Sequence, residues 1–192
     1  IIFVFLLLYF FDGEHRRCSS SLAKARIDML QVRIRPHFLF NTLNNLAEIV
    51  REDQDAAENA LLDLADLSRA MLQKKPEIRA EEEKSNTMSY IRLEQIRMGD
   101  RLHVDWQWNI SENVKMPSFL LQPLLENAIK YGIEPLPGKE NKITVKGWEE
   151  SKFINIIISN PKSTCEVITK PGNGVTLPNI AERLDWLYPD KH

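Results

Sequence analysis

The chain has almost no cysteine and no excess of either charge sign. Two cysteines, Cys18 and Cys165, occur in 192 residues, too few for a disulfide framework or a cysteine zinc site, which points to a reducing compartment. A net charge of −2 excludes the strongly basic balance expected of a dedicated nucleic-acid binder. Seven glycines and ten prolines exclude collagen-like and low-complexity sequence. At 43% hydrophobic the chain is also not short of apolar residues, which excludes disorder and leaves room for a sizeable core.

A long membrane-crossing run is missing too. Ile1 to Phe11 is an unbroken apolar stretch, IIFVFLLLYFF. As a helix it would reach only about 16 Å, against the roughly 20 residues a bilayer core needs. No basic region precedes it, as a signal peptide would require. The chain starts at Ile1 rather than Met, and His15, Arg16 and Arg17 follow the run. We read it as the cytoplasmic exit of a transmembrane helix, since basic flanks favour that side. A buried core strand or helix is the alternative. The far end, YPDKH, also reads as cut.

Glycine and proline are unevenly spread. Gly13, Gly99, Pro36 and Pro76 are all that occur in the first hundred residues. A helical first half and a mixed second half follow, with separate cores expected. Leu39, Leu43, Leu46 and Val50 mark one stripe of a helix reaching from about Ser21 to Arg51. A second helix is expected from about Asp55 to Gln73, with Leu61, Leu64, Ala65, Leu67, Met71 and Leu72 as its apolar side. Two such helices cannot bury both faces alone, and pairing with a second copy would complete a four-helix bundle. A third helix covers about Glu81 to Arg97. Alternation from Leu102 to Ile110 predicts a half-buried strand, and Phe119 to Tyr131 a helix. Lys142–Lys146 and Phe153–Ile158 read as strands joined in a hairpin through Glu149, Glu150 and Ser151. The expected arrangement is a sheet covered on one face by helices.

Three clusters carry chemistry. His37, in RPHFLFNTLNN, lies about 160° around the helix from the Leu39/Leu43/Leu46/Val50 stripe, on the polar face near Asn41, Asn44 and Glu48. A neutral imidazole there offers a lone pair as nucleophile, base or ligand. No second His or Cys lies at ligand spacing. Pro36 predicts a kink beside it. A solvated histidine next to an incidental proline would look the same. The second cluster, PSFLLQPLLENAIKYG, places Glu126, Asn127 and Lys130 after an apolar run. An amide oxygen suits Mg²⁺, and a lysine meets phosphate as a point charge. The third, PGNGVTLPNIAERL, has Gly172 and Gly174 before a helix starting near Pro178, a backbone able to approach an anion.

Taken together, RPHFLFNTLNN, SYIRLEQIRMGDRL, MPSFLLQPLLENAIKYGIEP and GNGVTLPNIAERL, in that order between about Leu30 and Leu187, resemble the phosphoacceptor box, following helix, N-box and glycine box of the LytS/AlgZ type of membrane-bound sensor histidine kinase. The resemblance implies an α plus α/β fold. A two-helix dimerisation hairpin would precede a GHKL (Bergerat-type) α/β sandwich that binds ATP. The implied partition is 1–17 for the membrane exit and basic flank, 18–78 for the dimerisation and phosphoacceptor helices, 79–115 for a connecting helix and first strand, and 116–192 for an incomplete ATPase-like domain. The implied reaction is ATP-dependent autophosphorylation of His37, then transfer to an aspartate of a response regulator. A dimeric scaffold or phosphatase that turns over no ATP is the alternative.

By motif position His37 is the phosphoacceptor and Asn127 the Mg²⁺ ligand. Glu126 has a catalytic place against metal and phosphates, with Lys130 and Tyr131 beside it. Asn160 faces adenine, and Gly172 and Gly174 form the lid. The implied partners are a second copy of the chain, a response regulator, with the LytTR type as one candidate, and the bacterial inner (cytoplasmic) membrane, with this region in the cytoplasm and no direct nucleic-acid contact. Phe38 follows the histidine where other kinase classes place an acid. Tyr131 stands where the family has histidine, and Asn160 where it usually has aspartate. Lys162 and Thr176 stand at glycine positions. This pattern is nearer the AlgZ branch than the LytS branch.

Overall fold

A computed structural model describes residues 36–189 except 74, 137, 139, 140, 152 and 162–175. These residues lie in a unit spanning Arg33–His192, and the apolar run at Ile1–Phe11 is outside them. Among the described residues no helix is long and apolar enough to cross a membrane.

Helix α1 (Pro36–Ile49) is followed after a four-residue turn by α2 (Gln54–Leu72). Asp53 stops the turn and starts α2: its side chain accepts the Ala56 N–H at 2.9 Å, satisfying one of the donors a helix start leaves open. Strand β1 (Glu77–Arg79) leads into α3 (Ala80–Met98). Then come β2 (His103–Asn109), β3 (Lys115–Pro117), α4 (Leu121–Ala128) with a π-turn over Ile129–Ile133, β4 (Lys142–Glu150), β5 (Phe153–Ser159) and α5 (Thr176–Leu187).

The main sheet has the order β2-β4-β5. β4 runs parallel to β2, with α4 in the connection, and antiparallel to β5. The expected hairpin is present, but β4 continues through Glu150, opposite Phe153, and the turn falls at Ser151, whose φ is +58°. β1 and β3 form a second, antiparallel pair, Ile78 opposite Met116. Three-residue strands carry no periodicity, so the sequence pattern does not reveal them.

The expectation of separate cores does not hold. Leu46 of α1, Leu64 and Leu67 of α2, Leu93 of α3, Leu125 and Ile129 of the α4 region and Ile143 and Val145 of β4 belong to one buried cluster. The reason is α3, which buries residues on several sides and packs against α1, α2 and α4 at once. An Arg92 fork from α3 grips the Asp63 carboxylate of α2, one arm at 2.7 Å. A smaller cluster holds Ala80, Ile110, Met116 and Leu121. The Leu39/Leu43/Leu46/Val50 stripe is only partly covered: Leu46 is buried, whereas Leu43 and Val50 are exposed. On α2 the buried seam is Ala57, Ala60, Leu64 and Leu67, and Leu61 and Leu72 face outward.

α4 begins two residues later than its pattern predicts, because Phe119 has a φ of +53° and cannot be helical. Pro123 is accommodated in the first turn, where N–H groups have no partner within the helix. The helix then widens into the π-turn, closed by the Glu134 N–H on the Ile129 carbonyl at 2.9 Å. Such widened turns are frequent at functional sites.

Candidate active site

The two polar clusters of α1 and α4 meet. A cleft of about 310 Å³ is lined from α1 by Phe38, Asn41 and Asn45, from α3 by Glu94 and Arg97, and from the α4 region by Glu126, Lys130 and Glu134. That volume is at the lower end of small-ligand sites. α1 is held here by an aromatic contact between Phe38 and Tyr90 of α3, ring centroids 5.3 Å apart. His37 is the second residue of α1, one turn before Asn41. The kink expected at Pro36 involves residues outside the described ones.

Charge in the cleft is arranged, not random. The Arg97 guanidinium bonds Glu94 at 2.6 Å and Glu134 at 2.8 Å, tying α3 to the end of the π-turn. Arg101 adds two bonds to the carbonyls of Glu134 and Leu136, at 3.1 and 3.2 Å. Gln122 donates to Glu126 at 3.2 Å from one turn earlier on α4. The Lys130 ammonium lies 5.2 Å from the Tyr131 ring centre, a cation–π contact. Two cations, Lys130 and Arg97, therefore border a cleft that also presents carboxylates and primary amides, a set suited to a phosphate carrying a hard divalent ion.

Asn127 is half-buried on α4, next to Glu126, and is not among the side chains lining this cleft. Asn160, just past β5, packs on the π-turn: a Cβ added at Gly132 would lie 2.3 Å from the Asn160 amide nitrogen and 2.6 Å from its Cβ. That amide nitrogen donates to the Pro161 carbonyl at 2.8 Å. Gly172, Gly174 and Lys162 lie outside the described residues, while Thr176 opens α5. Among the described residues no group of three or more His, Cys, Asp or Glu could hold a metal alone. A divalent ion here would need phosphate oxygens among its ligands, which is how Mg²⁺ is usually held.

Because the Cβ, Cγ and amide nitrogen of Asn160 all crowd that point, and a Cβ cannot rotate away, Gly132→Ala has to push apart the π-turn and Asn160 just past β5. The expected cost is about 2 kcal/mol, read as a lowered thermal midpoint.

Sequence reasoning passed over Asn45, Arg97 and Glu134. Arg97 carried a signal: it follows Tyr90, Leu93 and Glu94 at helical spacing, on the side that α3 turns to the cleft. Glu83 was also missed. It is buried, and its carboxylate accepts the N–H groups of Phe119 at 2.7 Å and Leu121 at 2.9 Å. Leu120, at the cap position of α4, makes no side-chain cap bond, so Glu83 caps α4 from α3. Arg183 of α5 lies at the same point and donates to Ser118 Oγ at 3.2 Å and the Pro76 carbonyl at 3.3 Å. The start of α4 and the helix α5 share one buried node.

A family model described as Histidine kinase matches residues 25–102. The sensor protein LytS of Streptococcus mutans is 31% identical over 85% of this chain and 30% of its own length. The sensor histidine kinase YpdA of Escherichia coli is 34% identical over 86% of the chain and 31% of its length. The sensor histidine kinase/phosphatase LytS of Staphylococcus aureus is 38% identical over 92% of the chain and 32% of its length. The chain belongs to the LytS-type sensor histidine kinases. It spans about a third of the length of these relatives. They lend no support to a place on the AlgZ branch.

Proposed function

We propose that this chain is the transmitter region of a two-component sensor kinase that phosphorylates His37 from ATP and passes the phosphoryl group to an aspartate of a response regulator. The observation that carries the reading is the shared cleft, where Asn41 and Asn45, one and two turns after His37, face Glu126 and Lys130 of the N-box. An unprotonated ring nitrogen of His37 attacks the γ-phosphorus. The N–P bond forms as the bond to the β–γ bridging oxygen breaks, ADP leaves with that electron pair, and the second ring nitrogen yields its proton to water. Phosphoryl transfer of this kind is mostly positioning and charge neutralisation.

Mg²⁺ supplies neutralisation of the phosphate charge when bound. In this reading Asn127 offers it an amide oxygen, and Glu126 orients the metal and phosphates from α4. Lys130 meets the phosphates, with Tyr131 stacked against its ammonium. Asn160 meets adenine, and Gly172 and Gly174 close over the nucleotide. Residues 116–192 belong to a GHKL sandwich, and 79–115 lead into it from the 18–78 hairpin, with β2 joining its sheet. That hairpin leaves Phe40 at 64% and Leu72 at 80% exposure in one chain, apolar surface fitted to a second copy in a four-helix bundle. The apolar stretch Ile1–Phe11 suits an anchor at the cytoplasmic membrane of a bacterium. No observation favours the scaffold without ATP turnover.

Incubation with γ-labelled ATP and Mg²⁺ is expected to label the parent chain and leave His37→Gln unlabelled. Label that persists in His37→Gln overturns the assignment. Asn127→Ala is expected to lose ATP·Mg²⁺ binding by calorimetry, and undiminished binding removes Asn127 from the site.

A further inference from the structure

Within one chain α1 already packs beside the α4 region, and this bears on which histidine the cleft serves. Phe38, Asn41 and Asn45 of α1 and Glu126 and Lys130 of the α4 region line it together. Four residues of helix rise about 6 Å, so the His37 backbone lies within a turn of Asn41 and next to Phe38. α1 is not loosely placed there. Its Phe38 ring packs on Tyr90, and its Leu46 shares a buried cluster with Leu93, Leu125 and Ile129. α2, joined to α1 by a four-residue turn, is clamped to α3 by the Asp63–Arg92 fork. A second copy's α1 could reach Glu126 and Lys130 only by displacing the α1 already seated, at the cost of this packing.

We propose that phosphoryl transfer runs within one chain: the N-box site of each copy phosphorylates its own His37, and the partner copy contributes no phosphoacceptor. This rests on the kinase reading above.

The test uses the full-length sensor, with two differently tagged copies co-expressed and purified through both tags in sequence. One copy carries His37→Gln with an intact nucleotide site. The other carries Glu126→Ala and Asn127→Ala with an intact His37. Transfer within a chain predicts that the doubly tagged pair takes less than a twentieth of the label of a doubly tagged parent pair, since neither chain holds both halves. Label near half of the parent value overturns the inference, because the intact site of one chain must then have reached the histidine of the other. A parent pair that takes no label overturns the kinase reading itself, so the two failures are told apart. If the tags do not copurify, the two variants are mixed at the parent concentration, and label appearing on the Glu126→Ala, Asn127→Ala chain overturns the inference while its absence supports it.

Discussion

Glu83→Gln destabilises the chain more at pH 5 than at pH 8, by about 3 kcal/mol on the scale of about 1.4 kcal/mol per pKa unit. The origin is the buried node that caps α4. Burial pushes the Glu83 carboxyl from 4.5 up to about 7, against the opposing pull of the Leu121, Phe119 and Leu120 amides and the Arg183 guanidinium. Between pH 4.5 and 7 the folded chain therefore keeps a proton on Glu83 that the unfolded chain has released. Folding takes up a proton in that window, so stability from this group is full below pH 4.5 and is lost as pH rises towards 7. Gln cannot titrate, and the variant lacks that slope. Urea midpoints at pH 5, 6, 7 and 8 for both chains measure the difference. Curves that stay parallel remove Glu83 as the titrating group.

Glu83 also shows where sequence reading stopped. It ends the run Glu81-Glu82-Glu83, which by composition is a solvated helix start carrying favourable charge for the helix dipole. Its burial follows from its place on one stripe with Thr87, Tyr90, Ile91, Glu94 and Met98, visible only once α3 is known to be covered on several sides. Phe119 is the same case. Its side chain suits a helix, but its N–H is drawn to Glu83 and its φ is +53°, a tertiary demand that no local pattern contains.

Where a single face is buried, pattern and structure agree. The Leu102–Ile110 alternation became β2, and the apolar positions of Ile143 and Val145 became the covered face of β4. Part of the polar face of α1 was legible: Asn44 and Glu48 are exposed, although Leu43 and Val50 of the leucine stripe are exposed as well. That Asn41 and Asn45 would sit across a cleft from Glu126 and Lys130 was not legible, because those groups are some eighty residues apart and meet only through α3.

α4 links stability to the site, and Leu125→Ala tests that link with the second large effect. Leu121, Leu125 and Ala128 form its buried side at i, i+4 and i+7, with Leu121 and Leu125 fully inaccessible, while Glu126 borders the cleft. Leu125 packs in the cluster that also contains Leu93, Ile129 and Ile143, so no solvent can fill the space its loss creates. The expected cost is about 3 kcal/mol, transfer and cavity together. At about 2–4 °C per kcal/mol for a chain of this size, the thermal midpoint drops by on the order of 10 °C. Leu125→Met, which conserves volume, is expected to cost under about 1.5 kcal/mol. The pair separates two roles of the helix. Below its own midpoint, folded Leu125→Ala leaves α4 free to shift into the cavity. ATP·Mg²⁺ affinity by calorimetry should then fall in Leu125→Ala and hold in Leu125→Met. Equal affinity in the two folded variants would mean that Glu126 and Lys130 are held by the Arg97 and Arg101 bonds to the π-turn rather than by the seating of α4.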